Sequence, residues 1–145
     1  MAANIKIGAQ AYHEAGHAFV GRMMKIRITE VYWDGTEGYT VPAWTSGDIN
    51  FEKLCFFLAG ELTEYRFSEN FSERHSGDDR QKTDCILFLL SGDYAKQHAI
   101  WLKAIQTVNE LLDKSENARK IKKIAEELTA KISLSEDDIK VLMEN

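Results

Sequence analysis

Residues 8–24 read Gly8-Ala9-Gln10-Ala11-Tyr12-His13-Glu14-Ala15-Gly16-His17-Ala18-Phe19-Val20-Gly21-Arg22-Met23-Met24, and the spacing of their apolar side chains decides the fold. Tyr12, Ala15, Phe19 and Met23 recur at helical intervals, which predicts an amphipathic helix over about 8–24. Gly16 inside that helix costs roughly 1 kcal/mol relative to alanine, so a close approach of another element is expected there. His13 and His17 stand about 40° apart around the helix axis and share one face.

Outward from this helix the period changes. Over 28–44, β-branched and aromatic residues interrupted by Asp34-Gly35 and Gly38 predict a β-hairpin with strands near 28–33 and 38–43. The rest of the chain is helical in pattern. Helices are predicted over 51–67, 79–90 (closed by Gly92), 94–112 and 116–132. The third of these carries an inward stripe of Ala95, Ala99, Leu102, Ile105, Val108 and Leu112. The fourth carries Ile121, Ile124, Ala125, Leu128 and Ile132. Ser135 and Asp138 form a capping pattern before a last short helix that turns Ile139, Leu142 and Met143 inward. The expected class is mainly α (α+β): a histidine-bearing helix and a small β-hairpin or sheet, followed by a helical bundle. With 145 residues, no repeat and no linker, a single domain is expected. Residues 1–49 would hold the first helix and hairpin, and 50–145 the helical part.

A net charge of −5 argues against nucleic acid and against anionic membrane surfaces. The run Lys120, Lys122 and Lys123 is flanked by Glu116, Glu126 and Glu127 and reads as a solvated helix face. Cys55 and Cys85 each sit among apolar neighbours and read as free buried thiols. The longest apolar run, 85–90, is six residues against the ~20 that span a bilayer. No basic, apolar leader opens the chain, so a soluble cytoplasmic protein is expected.

The spacing of His13 and His17 lets both imidazoles reach one ion, and Zn2+ takes such nitrogen ligands in a tetrahedral set with one position kept for water. Glu14 lies about 100° round the helix, poorly placed as a ligand but well placed to take a proton from that water. Val20 and Met24 lie beyond His17 and would floor the metal. Ala18 and Gly21, on the Glu14 face, would leave room for water and substrate. Spacing leaves the third ligand open among Glu64, His75, Asp78, Asp79 and His98. Acidic residues at 78 and 79 also suit the N-terminus of the helix they open, after Ser76-Gly77.

The stretch 11–18, reading AYHEAGHA, resembles the active-site helix of the peptidase domain of FtsH-type ATP-dependent zinc metalloproteases. Gly38-Tyr39-Thr40 is similar to the LGYT of that family's hairpin, and 58–64 (LAGELTE) to its GGRAAEE helix. Ser76-Gly77-Asp78-Asp79 with Thr83 resembles the family's TGASNDIxxAT segment. Residues 109–128 and 133–139 look like its closing helices. The resemblance implies His13, His17 and Asp79 as zinc ligands and Glu14 as catalytic base. Glu64 would orient a ligand histidine or serve as the alternative ligand, and Asp78 is the alternative to Asp79. The chain departs from the family at Glu61, where GGRAAEE has arginine, and in the shortened segment before Asp79. It also has no GxxxxGK[ST] phosphate loop.

The expectation is therefore a zinc-dependent metalloendopeptidase acting on unfolded or flexible polypeptides, which would pair with an exposed hairpin edge by strand addition. Two alternatives stand beside it. One is a regulatory metalloprotease that cleaves one partner; the other is a zinc-stabilised adaptor without catalysis, which the retained Glu14 disfavours. A homo-oligomer or a separate ATPase unfoldase is the expected company.

Overall fold

The computed structural model describes residues 6–44, 50–69, 71 and 77–144. In chain order these form α1 (Ala9–Met23), β1 (Arg27–Trp33), β2 (Gly38–Ala43), α2 (Phe51–Phe67), α3 (Gly77–Leu90), α4 (Tyr94–Asp113), α5 (Ser115–Lys131), β3 (Ser133–Ser135) and α6 (Glu136–Glu144). The class is α+β, mainly helical with one small antiparallel sheet. Local chemistry sets the boundaries. The Asn50 side chain accepts the Lys53 amide at 2.9 Å to start α2, and Asp93 accepts the Ala95 amide at 2.8 Å to start α4. In the hairpin, Asp34 Oδ1 accepts the amides of Thr36 and Glu37, both at 2.8 Å, while Gly35 takes φ +97°, which an L side chain disfavours. Ser135 and Asp138 cap each other's amides ahead of Ile139, as the pattern predicts.

Helix α1 lies at the centre, packed by α2 on one side and by α5 and β1 on others. Its buried face brings Ala15, Phe19 and Val20 against Leu54, Ile121, Ile124 and Leu128 in one hydrophobic cluster. Gly16 is the point of closest approach. A Cβ there would lie 2.5 Å from Thr63 Cβ and 2.9 Å from the Ala59 carbonyl oxygen, so α1 and α2 can meet this closely only at a glycine. The C-terminal part of the chain closes back on the N-terminal part through α5 and β3.

The sheet holds a strand more than the hairpin predicts. Its order is β2-β1-β3, with Val31 opposite Thr40 on one side and Leu134 on the other. Ser135 reads only as a helix cap in sequence, and it is one, but it also ends the strand Ser133–Ser135, in which Leu134 is fully buried and its neighbours pair with β1. Thus β1 is central and β2 is an edge, which suits Pro42, a residue with no amide to give to a further strand.

Several expected core positions lie outside the core. Met23 is 45% exposed at the end of α1, and Ala95, Ala99 and Leu102 are exposed on the first half of α4. Cys85 is exposed and only Cys55 is buried. Ile132 is exposed with φ +72°: its amide ends α5 by bonding to Leu128 and its carbonyl receives the Trp33 amide, both at 2.8 Å. Of the lysine run only Lys122 is exposed; Lys120 is 18% exposed and pairs with Glu116 at 3.3 Å, and Lys123 is half-buried. Among the described residues, no helix is long and apolar enough to cross a membrane.

Candidate metal centre

Side by side on α1, His13 and His17 turn their Nε2 atoms to the same point, 3.1 Å apart. The first turn of α3 brings Asp79 Oδ2 to 2.9 Å from each of them. These three residues form a group that can hold a metal ion. Two bonds of about 2.0–2.1 Å at a tetrahedral angle put ligand atoms ~3.3 Å apart. The three contacts therefore need to open by only a few tenths of an ångström to accept an ion.

The opposite nitrogen of each ring is committed. His17 Nδ1 donates to the Phe56 carbonyl oxygen at 2.7 Å, and His13 Nδ1 donates to Glu64 Oε1 at 3.1 Å. Neither acceptor can give a proton back in its ordinary form, so each ring keeps its Nδ1 proton and turns Nε2 to the site, where it is free to ligate a cation once any proton there has left. Glu64 is fully buried and lies on the far side of His13 from Asp79, which is the position of an orienting partner and not of a ligand. Gly60 floors the site. A Cβ at that position would stand 2.4 Å from His17 Nε2 and 2.6 Å from His13 Nε2.

Glu14 is buried on the adjoining face of α1. Its Oε1 accepts from the Thr40 hydroxyl at 2.9 Å and its Oε2 from the Gln10 amide at 2.6 Å. Gly38 keeps this corner open, since a Cβ there would press within 3.2 Å of both Gln10 and Glu14. Together the histidines, Glu14, Asp79 and the β2 residues Gly38, Tyr39, Thr40 and Pro42 line a cleft of about 440 Å3, with Trp44, Phe56 and Phe57 as its aromatic wall. A larger groove of about 670 Å3 lies between α2, α3 and α4 and does not reach His13 or His17. Its size alone carries no chemistry, and the convergent polar groups are in the smaller cleft.

The remaining candidates separate cleanly. The Asp78 side chain is 82% exposed and pairs with Lys82 along α3 at 3.6 Å. His98 stacks on Trp101 and lines the larger groove. His75 and Ser76 fall outside the described residues. Ala18 and Gly21 do not make room for substrate: Ala18 is fully buried, and Gly21 lets Ile28 and Phe56 pack onto α1. Under the rings it is Phe56 that packs on His17, at 5.0 Å between centroids.

No family model matches this chain, and no curated protein matches it. The chemistry of the site rests on its own electrostatics. Burial works to lower the His13 pKa, but hydrogen bonds to the Asp79 and Glu64 carboxylates and the nearby Glu14 raise it to about 9. Burial likewise opposes ionisation of Asp79, and the His17 and His13 imidazoles overcome it, holding that carboxyl well below the usual carboxylate range. A proton thus occupies the place that a metal cation would take. Burial, followed by the charge of Glu52, pushes the Cys55 thiol up to about 12, which leaves it inert as a nucleophile.

Gly60, Gln10, Thr40 and the Phe56 carbonyl were not legible as site components. Gln10 stands at i−4 from Glu14 and so carried a usable signal. The other three reach the site from distant elements, and spacing holds no trace of that.

Proposed function

We propose that this chain is a zinc-dependent metalloendopeptidase, of the FtsH peptidase type, that hydrolyses peptide bonds in unfolded or flexible polypeptides. The observation that carries the reading is the meeting of two imidazole nitrogens and one carboxylate oxygen beside a separate, hydrogen-bonded glutamate in one cleft. Three protein ligands with a position left over is the arrangement of catalytic zinc. The same donor types also serve non-haem iron. Glu14 favours hydrolysis, because a positioned base beside the ligands is what activation of water requires.

Zinc held by His13, His17 and Asp79 would polarise the scissile carbonyl and bring the pKa of a water to about 7. Glu14 accepts the proton of the attacking water at a carboxylate oxygen and passes it to the leaving amine. Thr40 and Gln10 fix the carboxylate for both transfers. The edge of β2 runs along the cleft, so an extended polypeptide pairs beside Gly38, Tyr39 and Thr40, stopping short of Pro42, which has no amide to give, and lies past Glu14. A folded protein cannot offer such a strand, which limits the substrate to flexible chains.

The test pairs metal analysis with degradation of a permanently unfolded protein. Wild type should bind one zinc and cleave, and Glu14→Gln should keep the zinc while losing at least ~10²-fold in rate. Zinc binding without cleavage by wild type would leave a zinc-stabilised adaptor. Iron in place of zinc would redirect the reading to oxygen chemistry.

A further inference from the structure

Asp79 rides on the one turn of α3 that the core does not grip. The buried side chains of α3 are Thr83, Ile86 and Leu87, all beyond its first turn, while Gly77 and Asp78 are exposed. Asp78 bonds to Lys82 on the same helix, and Lys82, beyond that first turn, lies over the Phe57 ring of α2 at 5.3 Å. Arg80 reaches across to α2. Its Nε donates to Glu61 Oε2 at 3.2 Å and its Nη2 donates to Glu61 Oε1, the two-pronged geometry that a guanidinium makes with a carboxylate. The partners are next in sequence to two site residues: Glu61 follows Gly60, the floor under both imidazoles, and Arg80 follows Asp79.

We propose that the Glu61–Arg80 pair is a positioning latch that fixes Asp79 over the histidines before metal arrives, an inference that rests on the metal reading above. Orienting partners of ligands commonly alter metal affinity. This pair is partly exposed, with Arg80 at 48% and Glu61 at 21%, so the effect is modest, about three- to five-fold.

Charge alone and a latch make opposite predictions at Arg80. Removing the Arg80 cation near a divalent ion would tighten binding by Coulomb's law, and removing the Glu61 anion would weaken it. A latch requires both to weaken it. Zinc affinity is therefore measured by competition with a chromophoric chelator for wild type, Arg80→Gln, Glu61→Gln and the exchanged pair Glu61→Arg with Arg80→Glu. Both single variants should bind about three- to five-fold more weakly, and the exchanged pair should return to within about twofold of wild type. Tighter binding by Arg80→Gln, or no rescue in a folded exchanged pair, would overturn the latch.

Wild type that binds no zinc would defeat the metal reading, not the latch. The latch is then decided by amide hydrogen exchange over residues 77–83 in the metal-free protein. Faster exchange in both single variants and recovery in the exchanged pair supports it; unchanged exchange overturns it.

Discussion

His13 and His17 stand on a helix wedged between α2, α5 and β1, whereas Asp79 stands on the first turn of α3, ahead of every buried side chain of that helix. The two rings are 2% and 4% exposed, and each is held by its far nitrogen. Asp79 keeps 18% of its side chain exposed and lies a turn ahead of the first buried residue of its own helix. A metal site needs both kinds of support. Rigid donors set the geometry, and a more loosely held third donor can move the few tenths of an ångström that separate a hydrogen-bonded cluster from a coordinated ion.

The rigid side is most sharply tested at its floor. Gly60→Ala puts a methyl group 2.4 and 2.6 Å from the two Nε2 atoms, and Gly16 has already brought α1 and α2 as close as their backbones allow. The rings cannot back away without giving up Glu64 and the Phe56 carbonyl. Zinc affinity should fall by about a hundredfold or more while the helical circular dichroism is retained. Wild-type affinity in this variant would show that the floor yields. On the looser side, Asp79→Ala should weaken zinc by roughly a hundredfold, and Asp78→Ala should leave it unchanged within error, since Asp78 meets solvent and Lys82. Equal losses at 78 and 79 would assign the third donor wrongly.

The contrast between the two sides also explains what the sequence discloses. Residues 11–18 declare both histidines and Glu14, because i, i+4 spacing on a helix is a geometric statement in itself. Phe51–Phe67 is recovered to the residue, helped by the Asn50 cap. Asp79 and Asp78 are about 100° apart on their helix, so only the docking of α3 on α2 chooses between them. Periodicity finds an apolar face without saying what covers it. That is why Val108 and Leu112 lie in the core while Ala95, Ala99 and Leu102, on the same stripe, are exposed and Ile100 and Trp101 pack inward in their place. Strand β3 is invisible for a related reason. Three residues have no period of their own, and Leu134 is a strand residue only because β1 is beside it.

A smaller effect is expected at Glu64. Glu64→Gln keeps the volume of a fully buried side chain but offers His13 Nδ1 a neutral acceptor in place of a charged one. The ring becomes a weaker donor to metal, and zinc affinity should drop about tenfold, less than for loss of a ligand. A loss as large as that of Asp79→Ala would make Glu64 a ligand after all.

The gentlest probe is pH, applied to the metal-free protein. His13 has a folded pKa raised from 6.5 to about 9 by Asp79 and Glu64 against the opposing cost of burial. A raised value means that the folded state holds the proton more tightly than the unfolded chain does. The resulting stabilisation is complete below about pH 6.5 and is lost as pH climbs through about 9. Asp79 works the other way. Its folded pKa is lowered, so its contribution is present above its ordinary value of 3.8 and is lost in acid. The metal-free protein should therefore lose several degrees of Tm between pH 6.5 and 9.5, roughly 5 °C for a chain of this size. Under the proposed zinc reading, saturating metal would displace the His13 proton, so it should flatten that alkaline decline and should itself bind less tightly as pH falls. The decline should also shrink in Asp79→Asn, which removes one of the two carboxylates bonded to the ring. Because the first turn of α3 is tied to α1 through those same bonds, amide protection at residues 81–83, corrected for the intrinsic rise of exchange with pH, should fall at pH 9 before protection at His13 and His17 does. If protection fell at both helices together, the two sides of the site would be one mechanical unit and the contrast drawn between them would be lost.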